Sequence, residues 1–241
     1  MQFNQPLATV RYERMFATST RRRLDPGALQ ALSDRVRPIS TARAQRLPAA
    51  PSLRALLPAG LRRGTAIGVT ADEAGGSTTM ALALAGAATQ AGSWCAAVGL
   101  ADLGALAAEE AGVDLSRLVC IPRPGAHWAQ TVAELLDGFD LVILCPPHHV
   151  RPALARRVVA RLRDRRAVLL VIDRWRSWPE PCDLDVRVEM ARWVSIGPGE
   201  DCLRHRQATV SVDGRRAEGR RRAIQLWLPA ADGALADVSG R

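Results

Sequence analysis

The chain has 241 residues, 48% hydrophobic and 24% charged, a balance suited to one sizeable folded unit with appendages. Its formal net charge is +9 and all 33 basic residues are arginines, so chemistry that needs a lysine ammonium from this chain is excluded. Five scattered cysteines with no Cys-x-x-Cys pair, and four histidines of which two are adjacent, argue against a zinc or disulfide framework.

In chain order, residues 1–46 read as an arm. Its first 23 residues lack periodicity and end in three arginines, and Leu24 to Arg35 reads as a short helix with Asp25 at the N-cap. The N-terminus has no apolar segment of the secretory type, and no apolar run reaches membrane-spanning length; a cytoplasmic protein with no membrane partner is expected. A Pro- and Ala-rich connector follows to Pro58. From Leu61 strands and helices alternate: Thr65 to Thr70, helix Thr78 to Ala91, Cys95 to Leu100, helix Leu103 to Ala111, Leu118 to Ile121, helix His127 to Leu136, Leu141 to Cys145, helix Pro152 to Arg165, and Ala167 to Ile172. That spacing predicts a mostly parallel central sheet covered by helices on both faces. Leu184 to Met190, Trp193 to Ile196, Gln207 to Val212 and Ala223 to Leu228 then read as an antiparallel meander, because apolar residues alternate with polar ones. Residues 230–241 read as a disordered tail.

The stretch Leu61 to Ala88 has the layout of a phosphate-binding loop: a strand, a small-residue turn, and a helix opening at Ser77-Thr78-Thr79. The required pattern is Gly, four residues, then Gly-Lys-Ser/Thr. Here Ala71 replaces the first Gly, Gly75 and Gly76 remain, and Ser77 replaces the lysine. Asp72 and Glu73 sit where phosphate would approach. The bland reading is a strand-to-helix turn capped by Ser and Thr.

This order of elements resembles the RecA core over roughly residues 47–229, giving a degenerate RecA-like, P-loop-type fold. LRRGTAIGV with GGSTTMALALA stands where that core has its strand, Gly-Lys-Thr-Thr and helix; Ala111 to Leu118 matches its turn into the third strand; Phe139 to Leu144 matches its Walker B strand. The Walker B acid falls at Cys145, and the water-activating glutamate falls at Ala101 or Asp102, where Asp102 also reads as a helix cap. The resemblance therefore implies no ATP hydrolysis, no bound nucleotide, no metal and no cofactor. Both DNA-binding loops of that core look trimmed, to Pro146–Arg151 and Asp173–Asp183.

With a basic arm ending in RRRAIQLWLP, the chain is similar to the actinobacterial ImuA-prime family of RecA-like accessory proteins. The codons for Tyr12 to Ala17 can also spell CGAACGTATGTTCG, a palindrome resembling the DNA-damage (SOS) operator, so residues 1–23 are read as translated promoter upstream of the true start; GAG at Glu13 would end that reading. The resemblance implies a non-catalytic adaptor of damage-induced translesion synthesis, nucleoid-associated when DNA is damaged. The implied partner is the polymerase-like adaptor ImuB and, through it, an error-prone DnaE-type polymerase; DNA and RecA are further candidate partners. The alternatives are a stand-alone DNA-binding protein and, by looser similarity, a SulA-like division inhibitor.

Three surfaces follow. The helix from Pro152 places Arg156, Arg157, Arg161, Arg165 and Arg166 around a face opposite Val158 and Leu162, suited to phosphate contact or to solvent. Arg174 and Trp175, after a strand end, can stack on a base or anchor a partner. The arm Arg220, Arg221, Arg222, Leu226, Trp227, Leu228 and Pro229 is the expected partner contact, by strand pairing or a Trp anchor; the alternative is a last strand packed on its own sheet with Leu226 and Leu228 inward.

Overall fold

The computed structural model describes residues 45–73, 75–195, 203–214 and 221–238. The expected helix from Leu24 to Arg35 and most of the N-terminal arm lie outside the described residues. A two-stranded ladder, β1 (Arg46–Leu47) with β2 (Leu61–Arg62), closes the connector on itself and buries Leu53 and Leu56.

The main elements follow as β3 (Thr65–Ala71), α1 (Ser77–Gln90), β4 (Cys95–Val98), α2 (Ala105–Glu110), β5 (Leu118–Ile121), α3 (Trp128–Gly138), β6 (Leu141–Leu144), α4 (Pro152–Arg165) and β7 (Val168–Ile172). They continue as β8 (Leu184–Ser195), β9 (Leu203–Asp213), β10 (Arg222–Trp227) and β11 (Ala236–Asp237). One nine-stranded sheet runs β11-β10-β9-β8-β3-β7-β6-β4-β5. Pairings from β8 through β3, β7, β6 and β4 to β5 are parallel, and those from β8 to β11 antiparallel. The expected mixed α/β architecture, parallel first and antiparallel last, is what the chain adopts.

The parallel strands are buried on both faces, which is why they read as near-continuous apolar runs. Ile67, Val69 and Leu170 face one core with Met80 and Leu84 of α1; Ala66, Leu169 and Val171 face the other with Val132 of α3 and Leu162 of α4. Ten of the fourteen residues of α1 are buried, consistent with its lack of a polar stripe. On the meander, Val186, Val188, Val210 and Leu226 continue the first core, while Arg187 and Gln225 point to solvent.

The structure corrects some boundaries. The two strands expected at Leu184 to Met190 and Trp193 to Ile196 are one strand, with a bulge between Glu189 and Arg192 that keeps it in register with β9. Residues 230–238, expected to be disordered, turn back so that Ala236 and Asp237 pair with Trp227 and Leu226. Among the described residues no helix is long and apolar enough to cross a membrane.

Candidate functional site

Parallel α/β sheets bind ligands beyond the carboxyl ends of their strands, where consecutive connections diverge. Here α1 and α2 cover one face of the sheet and α3 and α4 the other, so the chain leaving β4 and the chain leaving β6 part at that rim. Two hollows lie there, one at the phosphate-loop frame and one between β4 and β6.

At the first hollow, Gly76 is the N-cap of α1 with φ +116, a left-handed conformation that glycine adopts without strain. No side chain caps the helix, and Ser77, Thr78 and Thr79 lie inside its first turn, which corrects the expectation of Ser/Thr capping. Space beside the loop is taken by Arg206 of β9. A Cβ built on Gly76 would collide with its guanidinium, which donates from Nε to the Leu228 carbonyl at 2.8 Å; the residue as a whole is 5% exposed. Asp72 attracts that cation, and the Trp193 ring lies 5.3 Å beneath it. Burial pulls the Arg206 pKa down, with Asp72 opposing the shift.

A second arginine reaches the same turn. Arg174, two residues after β7, donates to the Thr78 hydroxyl at 2.7 Å. In the phosphate-loop pattern expected from the sequence, Thr78 is the position whose hydroxyl would face a magnesium ion. Cys145, which the resemblance puts at the Walker B position, is half-buried, and burial pushes its thiol pKa up. A thiol in place of a carboxylate is a poor ligand for a hard magnesium ion. Ala71, Gly75, Gly76, Ser77, Thr78 and Thr79 all line this hollow, which buried Arg206 and exposed Arg174 border. Nothing local in the sequence links Gly76 to Arg206; only the meander's path brings them together.

The second hollow, about 580 Å³, opens between the loops after β4 and β6. Leu82, Leu100 and Trp128 contribute apolar surface, and Asp102 and Glu110 reach its α2 side. Asp102 does not cap α2, whose N-cap is Gly104; it is an exposed carboxylate on this cleft. Gly99 has φ +79, and a Cβ there would strike the Cys145 carbonyl, so the two loops meet closely. On the far wall the 173–178 turn is pinned by Asp173, which accepts from the Ser177 N–H at 2.8 Å, and Ser177 Oγ ties it to the Pro147 carbonyl at 2.9 Å. That turn presents Trp175, 56% exposed, stacked on His148 at 4.1 Å. Trp178 instead packs edge-on against Trp128, so the two tryptophans divide the exposed and structural roles.

A family model described as the MT3502 N-terminal domain matches residues 55–179. The chain belongs to that family. A relative from Mycobacterium tuberculosis, "Uncharacterized protein Rv3395c", is 46% identical over 99 residues, covering 41% of this chain and 48% of the relative. The chain thus spans about half the length of that relative. The family segment contains the Gly75-Gly76 loop, most of the lining of the 580 Å³ cleft, α4 and Trp175, and stops before Arg206 and the meander.

Within the family segment, α4 buries Ala155, Val158, Val159 and Leu162 as its spacing predicts. Its arginines divide. Arg161 and Arg165 are held by Asp137 of α3, at 2.6 and 3.1 Å, while Arg157 and Arg166 are exposed and Arg156 stands 3.8 Å from Glu180.

Beyond the family segment, the arm departs from the expected partner contact. Leu226 and Leu228 are fully buried, because β10 pairs along β9 and directs them into the first core. A partner cannot reach them in the folded chain. Arg221 pairs with Glu189 at 3.0 Å, Arg222 donates to the Leu56 carbonyl at 3.4 Å, and Trp227 meets His205 edge-on at 4.8 Å. Pro229 borders both hollows, and its carbonyl accepts from the Arg206 N–H at 2.9 Å. Arg220 lies outside the described residues.

Proposed function

We propose that the protein is a non-catalytic RecA-like adaptor of damage-induced translesion synthesis, similar to the ImuA-prime family, and that it binds a polymerase-like ImuB partner. The observation that supports this reading is the phosphate-loop frame with Ser77 at the lysine position, Arg206 against Gly76 and Arg174 on the Thr78 hydroxyl. The strand order supports it as well: the loop-bearing β3 is central, the chain moves out to β5, returns through β6 and β7, and ends in a meander beyond β8. A frame built this way, with Ser77 and Cys145 at the two chemical positions, acts by binding rather than by phosphoryl transfer.

Two measurements test the proposal together. Recombinant ImuB from the same genome should co-purify with the full chain, and millimolar ATP with magnesium should leave the melting temperature unchanged. An ATP-dependent rise in Tm, or no co-purification, would reject the adaptor reading.

One observation favours a second reading, contact with single-stranded nucleic acid. Trp175 is exposed and stacked on His148, and Arg174 and Arg176 flank it, a pairing of aromatic face and cation that suits an unstacked base.

A further inference from the structure

With Leu226 and Leu228 buried in the protein's own core, the apolar anchor for a partner has to lie elsewhere. Four large hydrophobic side chains are exposed among the described residues: Leu106 at 64%, Trp175 at 56%, Trp193 at 41% and Leu115 at 38%. Trp193 is engaged beneath Arg206. The two most exposed flank the 580 Å³ cleft, Trp175 in its lining and Leu106 next to the lining residue Ala107. Leu106 lies on α2 four residues before Glu110, a spacing that puts the two on one stripe of the helix, and Leu103, Ala107 and Glu110 line the cleft.

The two walls differ in charge. The α2 wall carries Asp102 and Glu110, with exposed Glu109 beside them and no basic residue from 101 to 111. On the opposite wall Arg174 is held by the Thr78 hydroxyl and His148 lies against Trp175. In a chain of net charge +9, this is an acidic face bordering an apolar groove. We propose that the cleft between Leu106 and Trp175 is a docking groove for a basic amphipathic segment of a partner protein. An aliphatic or aromatic side chain of that segment seats between the two, and its cations face Asp102, Glu109 and Glu110.

The geometry favours this occupant over the others. The far wall is preformed: the Ser177–Pro147 tie and the Asp173 turn hold Trp175 in place, so little ordering is left to be done on binding. A buried apolar anchor ringed by polar contacts is the usual core of a protein interface. An acidic peptide or a phosphate backbone lying along the groove would meet the α2 carboxylates at short range, which penalises both.

The inference rests on the adaptor reading, but the two fail separately. A labelled helix-forming peptide with leucines on one face and arginines on the other serves as probe, followed by fluorescence anisotropy against the full chain. The controls are the same peptide with glutamate for arginine and a single-stranded oligodeoxynucleotide. Binding of the arginine peptide is expected to weaken about tenfold in Leu106→Ser and in Trp175→Ala. It should weaken several-fold in Asp102→Asn with Glu110→Gln, and with added salt. Leu106 and Trp175 are exposed, so the variants should keep the wild-type melting temperature. The inference is overturned by no binding up to about 100 µM peptide, by unchanged binding in either the Leu106 or the Trp175 variant, or by equal or tighter binding of the acidic peptide or the oligonucleotide. Tighter oligonucleotide binding would support the nucleic-acid reading of Trp175 instead. If ImuB co-purifies equally with wild type and with the Leu106 and Trp175 variants, the groove is rejected and the adaptor role survives; if it fails with wild type, the adaptor role itself is rejected.

Discussion

Asp137 and Asp140 stand three residues apart, and burial separates what they do. The Asp140 carboxylate is 5% exposed, pairs with Arg63 at 2.6 Å and accepts from the Trp94 N–H at 3.1 Å, tying the turn before β3 to the starts of β4 and β6. Asp137 bridges Arg161 and Arg165 in the open, where water screens both pairs. Asp140→Ala should therefore lower stability by about 3 kcal/mol, since it leaves a largely buried guanidinium without its carboxylate, or roughly 6–12 °C in Tm for a chain of this size. Asp137→Ala should cost less than about 1 kcal/mol. Urea unfolding of both variants checks this, and equal losses would mean burial is not what decides. The sequence placed Asp140 at the head of a strand correctly, yet offered no sign of its pairing with Arg63. The two residues lie 77 positions apart, and only the closed sheet makes them neighbours.

Among the elements, β10 is where reading and structure part most clearly. The alternation of Ile224, Leu226 and Leu228 was legible, but period two describes a strand pairing with a partner and a strand pairing with its own sheet equally well. Packing chooses the second. Leu226→Ala should then cost about 2–5 kcal/mol, and truncation after Gly219 should lower Tm sharply rather than leave the fold intact. Calorimetry of the two proteins tests this; an unchanged Tm after truncation would return the arm to the surface. Other elements were readable to the residue. Both ends of α4 follow from Pro152 at its first position and the four-residue spacing of its apolar stripe. The join of β8 across Glu189 and Arg192 was not readable, because the bulge is set by pairing with β9.

For the molecule as a whole, a single sheet carries the cores of both faces, and cooperativity should be graded across it. Hydrogen exchange should be slowest in β3, β6 and β7, which are buried on both sides and paired on both edges, and faster in β5 and β11 at the ends. Exchange from β3 as fast as from β11 would show that the sheet does not unfold as a unit. At this scale the α/β order was legible from strand and helix periodicity alone. The rim was legible only in part: the loop frame from Thr65 to Thr79 is contiguous, whereas its filling comes from Arg174 and Arg206, roughly a hundred and 130 residues later.

The Arg206 guanidinium beside Gly76 also sets how this chain can change over generations. Placing a lysine at position 77 would bring a third cation to a turn that two already reach. Losing Arg206 first would strip the Leu228 carbonyl and the Trp193 ring of their buried neighbour. Either change loses ground before the other can help, so this turn is locked against a lysine by a pair of residues rather than by any one.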